Sequence, residues 1–261
     1  MLSAERAQLS YDFGLAPRLV RRYIPEEERS DSLKTVRQVN GVTTYLSQMA
    51  CDEVRHVEAV YYAVAIAAID AVTDYRGERL SDGLVQDALD GEWGHPELEA
   101  VHVANEFAKG PRFKDALLNL SSWQDESLKQ FDNPSEQKLL EITRGKGGYS
   151  ALGHLHAMKE NPTDAEDQLM MSFGFAMQLL DDYLDKQGDR ASGISTLFTR
   201  GVFDRRDLSA ILRTLQSDAA DVWGDSPELR RFFRVCRAHA RLGDLENGSV
   251  IPVKRIIPFY F

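Results

Sequence analysis

The sequence predicts an all-α fold, a single-domain helical bundle, and three observations lead there. Apolar residues recur at helical spacing through most of the chain, and no convincing set of alternating strands competes. The nine prolines fall mostly between these periodic stretches rather than in one linker, and no internal repeat or low-complexity tract divides the chain. Composition agrees: 261 residues, 43% hydrophobic and 28% charged, are too apolar for intrinsic disorder and enough to bury a sizeable core.

Taken in order, the first helical stretch covers Ser32 to Tyr75 and holds the longest uninterrupted apolar run, Ala59 to Ile69. That run is well short of the roughly 20 residues a bilayer demands, so it reads as a core helix and no stable membrane insertion is expected. Leu80 to Leu89 follows, then a break at Gly91 to Pro96 that opens Pro96 to Ala108. Gly110-Pro111 precedes Arg112 to Phe131, Asn133-Pro134 precedes Ser135 to Lys159, and Asn161-Pro162 precedes Thr163 to Lys186. Arg206 to Trp223 and, after Asp225 to Pro227, Pro227 to Leu242 complete the set. Each break pairs a turn signal with good first-turn helix residues. The hydrophobic ending Ile256, Ile257, Pro258, Phe259, Tyr260, Phe261 is expected to pack back onto the body.

Charge and cysteine usage narrow the function. Asp and Glu outnumber Lys and Arg by 41 to 31, and the net charge of −10 opposes general phosphate-backbone binding unless a local basic patch overrides it. Nucleic acid is not an expected partner. Cys51 and Cys236 stand far apart with no CxxC spacing, which suggests neither a zinc knuckle nor a disulfide framework. The segment Met1 to Glu5 lacks a signal-peptide pattern, and a cytoplasmic location is expected.

Phe173 to Arg190 is the most informative segment. A step of four residues overshoots a helical turn by about 40°, so Asp181, Asp185 and Asp189 drift slowly along one helix face. Like charges so spaced cost a bare helix about a few tenths of a kcal/mol per pair, and locally only Lys186 and Arg190 offset them. Hard carboxylate oxygens on a helix suit Mg²⁺, which keeps waters and bridges carboxylates to substrate phosphates. A second pair, Asp70 and Asp74, follows directly on Ile69. Counting back by helical steps gives an apolar lining in both cases: Ile66, Ala63 and Tyr62 above Asp70, and Met177, Gly174, Phe173 and Met170 above Asp181. If the two helices face each other they form an apolar well with a carboxylate rim, suited to a ligand with an apolar tail and an anionic head bridged by metal. Either acidic set alone also reads as a solvated helix face; their repetition at the end of two apolar stretches favours the metal.

Arg144, Gly145, Lys146, Gly147, Gly148, Tyr149, Ser150 lies within another helical stretch. Each interior glycine costs a helix roughly 1 kcal/mol relative to alanine, so this density implies a kink or a very close backbone approach. Arg144 and Lys146 would then contact a diphosphate over the metal site, or else the glycines serve tight packing and the cations face solvent. The GxxxxGK[ST] order of a P-loop is absent.

At these residues the sequence resembles the class I isoprenoid synthase superfamily, over approximately Val36 to Gly201. Gln178 to Asp185 looks like the second aspartate-rich motif of prenyl diphosphate synthases, and Asp181, Asp185, Asp189 and Arg190 also fit the metal triad and following basic position of terpene cyclases. Asp70, Ala71, Val72, Thr73, Asp74 is similar to the first DDxxD motif, with Ala71 in place of its second aspartate. The resemblance implies a helical bundle around a central apolar cavity, with Asp70, Asp74, Asp181, Asp185 and Asp189 as catalytic metal ligands for about three Mg²⁺ ions. It implies an isoprenoid diphosphate substrate held by Arg144 or Lys146 and by Arg190 or Arg200, and a homodimer of the kind many relatives form. The carbocation formed would lie in a dry pocket containing Tyr62, Ala63, Ile66, Tyr149, Phe173 and Met177, whose aromatic faces stabilise cations; Tyr62, Tyr149 and Phe173 serve equally well as core residues.

Departures from the family pattern select among its members. Only Phe13 to Arg18 and the separated Arg76 and Arg79 stand where chain-elongating synthases carry a Gly-Lys-x-x-Arg-Pro segment and paired arginines. Ser192 to Thr196 stands where squalene and phytoene synthases carry their own downstream segment. A one-substrate terpene synthase therefore fits best, with a chain-elongating or head-to-head prenyltransferase as the alternative. Two rivals differ in class. Glu53-x-x-His56 and Glu99-x-x-His102 reproduce the ligand pair of ferritin-like di-iron bundles, and a non-catalytic isoprenoid-binding bundle would retain the cavity alone.

Overall fold

A computed structural model describes residues 14–30, 32, 33, 36, 56–75, 80, 83–108 and 110–246. The described residues are all-α, with no strand among them. Helix α1 runs through residues 14–23. Residues 29, 30, 32, 33 and 36 are also helical, and the helices that follow are α2 (His56–Asp70), α3 (Leu84–Leu89), α4 (Glu99–Phe107), α5 (Phe113–Ser127), α6 (Glu136–Met158), α7 (Asp164–Leu184), α8 (Lys186–Ser192), α9 (Arg205–Trp223) and α10 (Pro227–Glu246). Cys51, Glu53, Arg76, Arg79 and the hydrophobic ending lie outside the described residues, as do the side chains of His56 and Asp74.

Backbone packing divides the chain into two compact units. The first holds the described residues up to Asp125 together with Gly153–Pro162; the second holds Glu126–Leu152 and the described residues from Thr163 onward. In the first, α2 is apolar on all sides and accordingly buried on all sides, Val60 and Tyr62 to Ile69 being almost inaccessible. Leu19, Val20 and Tyr23 of α1 pack with Val60, Ala63, Val64 and Ala67 of α2 in one core cluster. In the second unit, α7 packs on α9 and α10, which also pack on each other. Leu169, Phe173, Ala176 and Leu180 meet a core built with Leu208, Leu212, Leu215, Phe232, Phe233 and Cys236. Burial pushes the Cys236 thiol up to about 12, so it is an inert core group.

Local chemistry explains the boundaries. Thr163 and Glu166 form a capping box at the start of α7, with Glu166 N–H donating to Thr163 Oγ1 at 3.2 Å and Thr163 N–H to Glu166 Oε2 at 2.9 Å. Asp204 and Asp207 do the same for α9. The stretch expected to be helical to Tyr75 stops as an α-helix at Asp70 and continues as a π turn over Ala71–Tyr75, where the Thr73 hydroxyl donates to the Ile69 carbonyl at 2.9 Å. Gly83, at φ 85°, delays α3 to Leu84, and α5 tightens into a 3₁₀ turn over Leu128–Asp132 before the left-handed Asn133.

Candidate functional site

The acidic end of α7 belongs to the second unit. The helix stops at Leu184, Asp185 bends out at φ −92° and ψ 2°, and α8 resumes at Lys186. The stripe is thus carried by two helices rather than the one expected. Its four-residue step survives the break, because Asp185 N–H donates to the Asp181 carbonyl at 2.8 Å and Asp189 N–H to the Asp185 carbonyl at 2.9 Å. Asp181 is exposed, while Asp185 and Asp189 are half-buried.

Asp182 was not singled out by sequence, yet it is the buried acid of the group at 8% exposure. It accepts a hydrogen bond from Gln178 Nε2 at 2.9 Å. Burial pushes its carboxyl up to about 7; Asp181 and Asp189 push the same way, while the Gln178 hydrogen bond and the Lys146 ammonium oppose them. The signal was present in the sequence. One residue is about 100° of helix, which turns Asp182 from the Asp181 face toward the side buried by Leu179 and Tyr183.

The Lys146 charge acts on Asp182 from α6, and the glycines beside Lys146 hold α6 close to α7. A Cβ on Gly147 would overlap the Gly174 carbonyl and crowd Gln178, a Cβ on Gly174 would overlap the Gly147 carbonyl, and Gly148 packs on Met171. Of the two outcomes expected for the glycine-rich segment, close backbone approach is the one realised: α6 runs unbroken from Glu136 to Met158. Arg144, two residues before Lys146 and exposed, lies over the Phe175 ring at 5.2 Å from its centroid. Arg190 is exposed on α8. Arg200 donates to Asn133 Oδ1 and to the Pro134 carbonyl. The loop that carries it is tied down as well: Ser195 N–H donates to the Gln130 carbonyl at 2.9 Å, and Gln130 Nε2 to the Ser195 carbonyl at 3.0 Å.

Of the expected pocket residues in this unit, Phe173 is buried against Phe232, with ring centroids 5.5 Å apart, whereas Tyr149 and Met177 are half-buried. In the first unit, Asp70 ends α2, half-buried, and accepts a hydrogen bond from Gln124 Nε2. Asp74 lies in the π turn that follows. Ala63 and Ile66 are buried, and Tyr62 is enclosed edge-on by Phe113 and His154 with its hydroxyl over Gly153. Burial holds the His154 imidazole down to about 3, hence neutral.

The stripe offers only hard oxygen donors, the chemistry Mg²⁺ takes when one or two carboxylates share it with phosphate oxygens and water. Among the described residues no three His, Cys, Asp or Glu side chains are grouped closely enough to hold a metal ion between them. The Glu-x-x-His pair on α4 is engaged otherwise: Glu99 pairs with Arg22 at 2.9 Å, and His102 lies against Trp93 with ring centroids 5.5 Å apart. No helix among the described residues is long and apolar enough to cross a membrane.

No family model matches the chain, and no curated protein does. Among solved structures, the chain is similar to a geranyltransferase from Legionella pneumophila, with 14% identity, a TM-score of 0.47, and coverage of 94% of this chain and 96% of that one.

Proposed function

We propose that this chain is a Mg²⁺-dependent terpene synthase, an enzyme that ionises an allylic isoprenoid diphosphate, releases diphosphate and converts the remaining carbocation into a hydrocarbon or alcohol. The observation that carries the reading is the contact of Gly147 with Gly174, which packs α6 closely on α7, together with the charge of the neighbouring Lys146 acting on Asp182. A solvated acidic face needs neither a glycine-paired helix nor a cation built into the neighbouring one.

Asp181, Asp185 and Asp189 are the residues that would hold Mg²⁺ in this unit, and the first motif's likeness gives Asp70 and Asp74 the same role. Bound Mg²⁺ would supply positive charge to the diphosphate as the C–O bond breaks and both bonding electrons leave with oxygen. The chain's own cations act on the same oxygens. Lys146 and Arg144 project from α6, Arg190 and Arg200 from the segment after the stripe, and N–H donors fixed before the reaction favour the leaving anion without reorganisation. Arg200 is pre-set by Asn133 and Pro134, and Arg144 by the Phe175 face. Tyr149 and Met177, half-buried on α6 and α7, are the side chains of this unit that would border an apolar tail. The cation ends by losing a proton or by capture of water, which gives an alkene or an alcohol.

The test incubates the protein and Mg²⁺ with geranyl, farnesyl or geranylgeranyl diphosphate, each with and without isopentenyl diphosphate, and analyses organic and aqueous products. Hydrocarbon or alcohol plus free diphosphate without isopentenyl diphosphate is expected, and Asp181→Ala or Asp185→Ala should lower turnover by about 100-fold or more. A longer diphosphate formed only with isopentenyl diphosphate would assign chain elongation instead. Mg²⁺-dependent binding with no diphosphate released from any substrate would leave a binding protein.

A further inference from the structure

The acidic balance of the chain conceals a strongly basic face on the second unit. Along α10, Arg234, Arg237 and Arg241 follow steps of three and four residues, which keeps them within about 60° of one another around the helix axis. Arg213 of α9 joins them. It lies one turn before Gln216, whose Oε1 accepts a hydrogen bond from Arg237 Nη1 at 2.6 Å, and the turn at Gly224 to Ser226 folds α10 back along α9. Arg213, Arg234 and Arg241 are exposed and Arg237 is half-buried. Burial and the neighbouring guanidinium groups of Arg241, Arg213 and Arg234 all work to lower the Arg237 pKa, as crowding of like charge requires. Arg230, on the same helix, is already paired with Asp225. No carboxylate among the described residues bonds any of the other four.

Four arginines gathered with no bonded carboxylate among the described residues repel one another, and the cluster is relieved by an anionic surface. Its reach is local, since charges beyond a Debye length of about 10 Å are screened, so the net charge of −10 does not cancel it at contact. The sequence after α10 narrows the choice of partner. It places Lys254 and Arg255 beside Ile256, Ile257, Phe259, Tyr260 and Phe261. Cations next to aliphatic and aromatic side chains suit the boundary between lipid headgroups and acyl chains, whereas duplex nucleic acid offers phosphates but little place for the apolar residues. We infer that the face formed by Arg213, Arg234, Arg237 and Arg241 docks the protein reversibly on an anionic lipid surface.

The experiment sediments the full chain with vesicles of phosphatidylcholine alone, or of phosphatidylcholine with about one third phosphatidylserine, from about 0.05 M to about 0.5 M salt. Co-sedimentation with the anionic vesicles only, lost at high salt, is the expected result. The double variant R234E/R241E, at two exposed positions, should bind at least about tenfold more weakly, with an unchanged circular dichroism spectrum and melting temperature. Failure to bind anionic vesicles at low salt, equal binding to neutral ones, or binding indifferent to R234E/R241E would overturn the inference. So would tighter binding to duplex DNA or polyglutamate than to the anionic vesicles at the same salt.

Discussion

Asp182 is the residue at which the acidic site meets the stability of the fold. Its carboxyl is ordinary in the unfolded chain and raised to about 7 in the folded one, because burial disfavours the anion and Asp181 and Asp189 add to that. The folded state therefore binds the extra proton between the two pKa values, so stability is fullest below the unfolded value and declines as pH rises toward 7. Asp182→Asn keeps the shape and the hydrogen bond from Gln178 while removing the ionisation. Measured by thermal unfolding in EDTA, the variant should lose less stability than the wild type between pH 4.5 and 7.5, and at pH 8 it should be the more stable by about 1 to 3 kcal/mol. Parallel curves for the two proteins would place the carboxylate in a wetter environment than the one described. Sequence spacing made Asp181, Asp185 and Asp189 legible because a four-residue step is a property of any helix. It could not show which acid is desolvated, since that depends on the helices packed around α7.

At the scale of elements, the glycines of α6 and α7 have a role their neighbours do not share. Gly147 and Gly174 let two backbones touch, so a methyl group at either position meets carbonyl atoms that cannot rotate aside. Gly147→Ala or Gly174→Ala should each cost about 2 to 3 kcal/mol, the upper part of the range for overpacking, and should weaken diphosphate binding by pushing Lys146 away from α7. Gly188, inside α8, faces open space, with nothing within 4 Å of an added Cβ. Gly188→Ala should therefore leave the fold alone or stabilise it by up to about 1 kcal/mol. Urea unfolding of the variants decides the matter, and equal losses at Gly147 and Gly188 would contradict the packing described. The glycine-rich run was legible as a request for a bend or a close approach, but not as a choice between them, because the partner Gly174 lies on another helix. Turn signals fared better: Gly110-Pro111, Asn133-Pro134 and Asn161-Pro162 act through local backbone geometry and mark real breaks. The π turn after Asp70 and the break at Asp185 were not legible, since residues with ordinary helix propensity pass through both.

On the scale of the whole molecule, a chain with net charge −10 has every reason to repel diphosphate unless cations, its own and a divalent metal's, stand between. The all-α class followed from periodicity alone, which any sequence that buries one helical face must show; the chemistry needed the spacing of a few acids and bases, which burial does not dictate. A ligand that binds only the folded state raises its stability by RT ln(1 + [L]/Kd), about 2.7 kcal/mol at a hundred times Kd. For a protein of this size that corresponds to a rise in Tm of about 5 to 10 °C. Mg²⁺ and inorganic diphosphate together should produce such a shift, while diphosphate in EDTA should produce little, because without the metal the charges of Asp181, Asp185 and Asp189 stay unneutralised and repel the anion. Asp181→Ala/Asp185→Ala should abolish the Mg²⁺-dependent part while retaining the unliganded melting temperature, since the exposed Asp181 and the half-buried Asp185 contribute little to packing. An equal shift in EDTA would assign diphosphate binding to the arginines and lysine without metal, and a shift that survives the double variant would move the metal away from α7.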